Sequence, residues 1–471
     1  MISYIKNTIC SLLIVLAASS CGSDFLDIEP EQNVSSEQAI TDINTLRTAI
    51  NGVYSKLQSS DYYGRSMYVI PELMADNLYL SSRNTGRYLD HESFAVTEED
   101  SYSDGLWNLM YEVIVNATKA IDGGESLEAV TDGQQQEIDQ LVGEAYALRA
   151  LAHFDLVRLF AQPYNFTADA GHDGVPVIAR SEDNEIAPSR NTVKEVYDQV
   201  NSDLETAIHK MTEERKNGRF TIYAAKALAA RAYLYQENYE MAITLSTDVL
   251  ENGGYTLVPN GSYPELWSEA FNSESIFEVV NTVADNAGTN SIGHFFDPAG
   301  YADALVPEEL YELYDSGDAR LEAINRGSKT GAEDDALFVY KFPNGTSWDD
   351  NMKVLRLAEQ YLIRAEAYAK TDKPDLARDD LMAVVNRADP GAAGVTGSGQ
   401  GLVDRILEER RKELAFEGHR LFDLNRNKKD VRIIQSENVL EVAYPNDKFI
   451  LPIPLNEINA NPNIKPQNPG Y

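Results

Sequence analysis

The chain has 471 residues with 75 Asp+Glu against 40 Lys+Arg, a formal charge of −35, and no basic stripe, which removes nucleic acid from the candidate partners. Two cysteines, Cys10 and Cys21, leave no disulfide framework, no Cys-based zinc site and no iron–sulfur cluster. Hydrophobic residues at 43% still make a globular chain, and 26 tyrosines suit either its core or a face that stacks on flat, neutral ligands.

In chain order, Lys6 and the apolar run Ile9 to Ala18 read as an export signal. A core of about ten residues is usual for such a signal and too short to span a bilayer, which takes about 20. Ala18, Ser19 and Ser20 are small enough for cleavage before Cys21, the position that bacterial lipoproteins acylate. Ala18, where leucine is usual, relaxes that motif; the alternative is a secreted chain with an incidental cysteine. Residues 1–20 are thus read as a lipoprotein signal, Cys21 as the lipidation site, and 21–37 as an acidic tether. Two or more acyl chains would give a stable membrane anchor.

Helical periodicity begins at Thr41, with Ile43, Leu46, Ile50, Val53, Tyr54 and Leu57 on one side. Asp61 to Asp104 reads as aromatic-rich loops with some short helix. Further helices are predicted over Trp107–Ile121, Gln136–Phe160 (stopped by Pro163), and Thr192–Met211, where Thr192 and Glu195 make a capping box. Phe220–Leu234 and Tyr239–Leu250 form a helical hairpin, and "IFEVV" is strand-like. After an irregular stretch come a second pair, Leu355–Ala369 and Leu376–Ala388, a glycine-rich loop, and one long helix from Leu402 to about Asn425.

"RAYLYQENYEMAI" from Arg231 and "RAEAYAKTDKPDLAR" from Arg364 share Arg-Ala-x-x-Tyr, a polar turn and an Ala-bearing helix. Small alanines let two helices approach closely, so the copies suggest a degenerate tetratricopeptide-like scaffold. The histidines (His91, His153, His172, His209, His294, His419) show no ligand spacing, so no metal site and no catalytic residue are assigned. The count of carboxylates leaves room for a structural calcium ion, although no EF-hand-like loop is present. "EERRKELAFEGHRLFDLNR" at Glu408–Arg426 places Arg410 three residues from Glu413 and Glu417 three from Arg420. A catalytic cluster is one reading; a semi-buried ion network locking the C-terminal helix is the other, favoured because no histidine or nucleophile stands beside it. Trp107 and Trp267 sit in amphipathic settings and are assigned to the core.

Six stretches in order, "CGSDFLDIEPE", "EAYALRALAHFDLVRLFAQPY", "AAKALAARAYLYQENYEMAI", "RLAEQYLIRAEAYAK", "ILEERRKELAFEGHRLFDLNR" and "LPIPLNEINANPNIKPQNPGY", resemble the SusD/RagB family from Cys21 to Tyr471. The resemblance implies an all-α fold on a tetratricopeptide-like scaffold, with loops and short strands forming a ligand face. Its SusD-like domain would span 38–471, with an N-terminal part to about 215 and the hairpin repeats and C-terminal part from about 216. It also implies an outer-membrane lipoprotein facing outward, a lid over a SusC-like TonB-dependent transporter, that binds an oligosaccharide without cleaving it and needs no cofactor. Peptide cargo on the same architecture and an α-helical glycoside hydrolase are the alternatives.

A sugar ring is held by an aromatic face on its C–H side and by Asn, Asp or Arg at its hydroxyls. That composition recurs in three loops, "DNLYLSSRNTGRY" (76–88), "FFDPAGY" (295–301) and "FPNGTSW" (342–348). Tyr79, Tyr88, Tyr301 and Trp348 are the expected platforms, and Asn77, Arg83 and Asn84 the expected hydroxyl partners. The competing reading of each aromatic is that it packs its loop onto the scaffold. The family's binding residues follow no fixed motif, so none is carried over by position.

Overall fold

The computed structural model describes residues 40–181, 187–329, 333–435 and 438–471. The signal sequence, Cys21 and the tether lie outside the described residues. Helix α1 (Ile43–Leu57) starts at Asp42, whose carboxylate accepts the Thr45 N–H at 2.8 Å while Thr45 Oγ1 accepts the Asp42 N–H at 2.9 Å. That reciprocal cap satisfies two donors that a helix start leaves open. Leu46, Ile50, Val53 and Leu57 recur at three- and four-residue steps and are all buried. Inside the expected loop region, Ser66–Leu73 forms a short helix, α2, buried along its whole length.

Two long helices follow, α3 (Ser101–Glu125) and α4 (Asp132–Phe160), packed on each other, with α5 (Val193–Lys210) against α4. The capping box at Thr192 forms as predicted: Thr192 Oγ1 accepts the Glu195 N–H at 3.2 Å and Glu195 Oε2 accepts the Thr192 N–H at 2.8 Å. Helices α6 (Ile222–Tyr235) and α7 (Tyr239–Asn252) make the first predicted hairpin. A buried row of Ala224, Ala225, Ala227, Ala229, Ala230 and Ala232 allows its close packing. Trp107 is 1% exposed and meets Phe160 edge-on at 5.0 Å, and Trp267 is buried beside Tyr263, so both tryptophans are core as expected.

Among the described residues every sheet is a two-stranded antiparallel pair. Strand β1 (Tyr79–Leu80) pairs with β3 (Ala304–Leu305), and β2 (Ser275–Val279) with β6 (Met352–Arg356). Strand β4 (Ile324–Gly327) pairs with β5 (Ala336–Val339), and β7 (Val431–Gln435) with β8 (Asn438–Val442), two hairpins that the irregular pattern and the Pro- and Asn-rich tail did not announce. The first two pairs matter most, because they join segments more than 70 residues apart and so bring the aromatic loops to one side. Helix α8 (Ile292–Phe296) lies between them; α9 (Leu357–Lys370) leaves β6 directly and forms the second hairpin with α10 (Pro374–Ala388). Helix α9 also packs on α7, so the two hairpins stack as the repeat reading requires.

The single helix expected from Leu402 to about Asn425 is instead two: α11 (Gly399–Leu414) and α12 (Arg420–Arg426). Gly418 between them has φ +76°, and a Cβ there would stand 2.4 Å from the Met67 carbonyl oxygen. The buried Glu72 carboxylate accepts N–H groups from Phe416 (3.0 Å), His419 (2.9 Å) and Arg420 (3.3 Å), capping α12 from α2. The expected local pairings of Arg410 with Glu413 and of Glu417 with Arg420 therefore give way to tertiary ones, while Asp423 keeps its i,i+3 partner Arg426 at 2.8 Å. Arg356 binds Glu417 at 2.7 Å, Glu413 at 2.6 Å and Glu274 at 2.9 Å, and Lys341 binds Glu417 at 2.7 Å. Arg410 reaches Asp423 at 2.7 Å and Glu359 at 3.1 Å, while Arg420 turns to Asp76 at 2.5 Å. Burial opposes ionisation of Glu413, but Arg387, Arg356 and Arg320 override it and hold the carboxyl well below the usual range. The cluster is a largely buried lock for α11 and α12, with Arg420 and Asp76 at its half-buried edge.

Candidate functional site

The β1–β3 register, Tyr79 opposite Leu305 and Leu80 opposite Ala304, sets the loop after β1 beside the loop after α8. The first loop is braced from within: Asn84 Nδ2 donates to the Ser81 carbonyl at 2.8 Å and Asn84 Oδ1 accepts the Gly86 N–H at 2.7 Å. Thr85 then donates its N–H to Asp303 Oδ1 at 2.9 Å, tying this loop to the second. Arg87 lies 4.3 Å from the centre of the Tyr301 ring and 3.6 Å from Asp303. Contacts with Thr289 and then Arg87 favour the phenolate and move the hydroxyl of the half-buried Tyr301 below its ordinary range.

The second loop is set by Gly300, where a Cβ would meet the His294 carbonyl oxygen at 2.3 Å; Tyr301 donates its N–H to that oxygen at 2.9 Å. His294 contacts two aromatic rings, edge-on to Tyr301 at 4.6 Å and to Trp348 at 6.3 Å. Its Nδ1 is 3.0 Å from the Gly345 carbonyl oxygen, joining the second loop to the third. Trp348 has φ +63° and donates its backbone N–H to the Asn344 carbonyl at 2.7 Å. Beneath it the Asp350 carboxylate accepts the Asn344 N–H at 3.1 Å, and burial pushes its pKa up to about 7, with Asp349 and Asp297 adding repulsion. Asp350 is 6% exposed and would touch a Cβ placed on Gly293 at 2.5 Å, so it serves the loop from behind.

The nominated residues divide. Tyr301 and Trp348 meet through His294, and Arg83 stands exposed on the first loop, engaged in an interaction of its own. Asn84 is half-buried with its amide spent on the loop, and Tyr79 is half-buried, packing against Ala302, Leu305, Ala336 and Phe338. Two assignments are corrected. Tyr88 is buried: its ring lies tilted against Tyr102 at 4.2 Å and meets Phe295 edge-on, with its hydroxyl bonded to Arg65 and Ser66 at 2.8 and 2.9 Å. Asn77 is buried with Nδ2 on Glu72 at 2.7 Å and Oδ1 accepting Arg411 at 2.8 Å, so it ties α11 to the scaffold. Sequence reasoning passed over Arg87 and His294. Arg87 lay inside a nominated loop, and His294 stands one residue before another, a signal that proximity in sequence could have supplied.

A separate groove of about 680 Å³ lies between α1 and α3, lined by Lys56, Tyr111 and Glu112 among others, and none of the nominated residues borders it. Among the described residues no group of three His, Cys, Asp or Glu could hold a metal ion, and no helix is long and apolar enough to cross a membrane.

Residues 24–234 match a family model described as "Starch-binding associating with outer membrane", and residues 338–471 match the model of the SusD family. A SusD superfamily protein from Bacteroides vulgatus is 31% identical, with a TM-score of 0.82 over 91% of this chain and 99% of that one. One from Bacteroides thetaiotaomicron is 28% identical, with a TM-score of 0.84 over 91% of this chain and 100% of its own. A curated relative, SusD-like protein P38 of Formosa agariphila, is 26% identical over 99% of both chains.

Proposed function

The chain belongs to the SusD/RagB family, and from that premise we propose that it captures oligosaccharides at the cell surface and delivers them, as a lid, to a SusC-like TonB-dependent channel in the outer membrane. The observation that carries this reading is the convergence of three loops on Tyr301, His294 and Trp348, with Arg87 laid on Tyr301. Ring faces supply C–H stacking, and Arg87 and Arg83 supply hydroxyl donors. Acylated Cys21 would pin the chain to the membrane, with the tether carrying the domain outward. Reversible capture requires no cofactor. Carboxylates around the third loop are occupied in loop support: Asp350 holds the Asn344 N–H, Asp349 Oδ1 accepts the Ser347 hydroxyl at 2.5 Å and Asp297 Oδ1 the Ala299 N–H at 2.7 Å, an arrangement for holding cargo rather than cutting it.

Calorimetric titration of the full-length protein with a panel of neutral oligosaccharides and of peptides tests the reading. A saccharide should bind, and Tyr301→Ala and Trp348→Ala should each weaken it by about 1–2 kcal/mol, the scale of one lost aromatic contact. Affinity unchanged in both variants would move the site elsewhere, and binding of peptides alone would change the cargo. Glycan cleavage abolished by a single Asp or Glu substitution would make the protein an enzyme.

A further inference from the structure

The cations around the ligand face already have partners. Arg87, the guanidinium on the Tyr301 platform, stands 3.6 Å from Asp303, whose carboxylate is wholly buried and also accepts N–H and hydroxyl groups from Thr85. Lys329 Nζ donates to Ser81 Oγ at 3.2 Å, to the Arg83 carbonyl at 2.6 Å and to the Ala302 carbonyl at 3.1 Å. Its neighbour Glu333 accepts from Ser82 N–H at 2.6 Å and Ser81 Oγ at 2.9 Å. Arg83 is engaged as well. At the Trp348 end stand the acidic Asp297, Asp349 and Asp350, and the cation beside Asp350, Lys353, is already paired with Glu278 at 3.3 Å.

A carboxylated or sulfated ring needs a cation whose charge is not already answered, since bringing an anion out of water is costly unless it is paired. At Arg87 it would share the guanidinium with a buried carboxylate directly behind it. A hydroxyl incurs no such repulsion, because it accepts from the outward N–H as a neutral group. Resting on the sugar-binding reading above, we propose that Asp303 sets the charge class of the cargo: the site takes uncharged sugars and turns away acidic ones. The −35 net charge acts in the same direction at longer range.

The test is titration of the full-length protein with matched oligosaccharides that differ only at C6, such as galacto- against galacturono-, gluco- against glucurono- and manno- against mannurono-oligomers. At low salt the neutral member should bind at least about tenfold more tightly than its acid counterpart. Raising salt to about 0.5 M should narrow that gap by screening the repulsion. Asp303→Asn retains an acceptor for Thr85 and releases Arg87, so the neutral-to-acid ratio should shrink about tenfold. An acid member that binds as tightly as its neutral partner, an acid affinity that falls with salt, or a folded Asp303→Asn protein with an unchanged ratio would each overturn the proposal. Should that variant fail to fold, the salt series on the unmodified protein decides alone. Failure of the underlying site reading looks different: no neutral sugar bound, or neutral binding indifferent to both Tyr301→Ala and Trp348→Ala.

Discussion

At the scale of the residue, Asp350 shows how a site takes up charge that solvent would otherwise stabilise. Its carboxyl is raised from 3.8 to about 7, chiefly by burial, against the opposing pulls of the Asn344 N–H and the Lys353 charge. The folded state therefore binds a proton that the unfolded chain has already released. Stability from this group is complete below the unfolded value, falls as pH rises from about 4, and levels off above about 7. Asp350→Asn should remove that fall, on the order of 2–4 kcal/mol, so the variant gains on the unmodified protein between about pH 4.5 and 8 in denaturant titrations. Parallel curves for the two proteins would mean the carboxyl is ionised throughout. Residue type alone nominated Tyr301 and Trp348, which the fold joins through His294, and equally Tyr88 and Asn77, which it buries. A tyrosine in a polar loop has the same composition whether its hydroxyl meets water or the Arg65–Ser66 pair, and only the fold decides which.

At the scale of the element, local rules worked where the stabilising partner is local. The Thr192–Glu195 box, the α6–α7 hairpin and the strand over Ser275–Val279 depend on contacts a few residues apart, or on a simple run of apolar residues. The C-terminal helix failed because its break is tertiary. Gly418 turns where the Met67 carbonyl leaves no room for a side chain, and the new helix start is capped by Glu72, more than 300 residues away. Gly418→Ala should lower stability by about 2–4 kcal/mol, combining a left-handed backbone with a contact that must shift. Thermal unfolding within a degree of the unmodified protein would show that α11 and α12 can rejoin at little cost. The same break explains why Glu413, Glu417 and Arg420 pair across elements: turning the chain after Leu414 points Glu417 at Arg356 and Lys341 instead of at Arg420.

At the scale of the whole molecule, buried ion pairs tie the stacked hairpins to the C-terminal segment, while the net surface charge is strongly acidic. Arg231 of the first repeat and Arg410 of α11 share Glu359 of the second, so the hairpins and the C-terminal helices are joined by one carboxylate. Cys21 lies outside the described residues and more than 50 positions before the first nominated loop, which gives the proposed membrane attachment its own test. Cys21→Ala should move the protein from the membrane fraction to the soluble one with sugar affinity unchanged, and retention in the membrane fraction would dismiss acylation at that residue. The sequence by itself determined the helical scaffold, its repeats and caps, and the aromatic and polar makeup of the loops, because periodicity, capping and composition act over a few residues. The tertiary structure alone decided which of those loops meet, since strand pairing between Tyr79–Leu80 and Ala304–Leu305 is a contact across more than 200 residues. It also decided which aromatics face solvent and which cations are already answered, because burial and charge pairing are properties of neighbours in space.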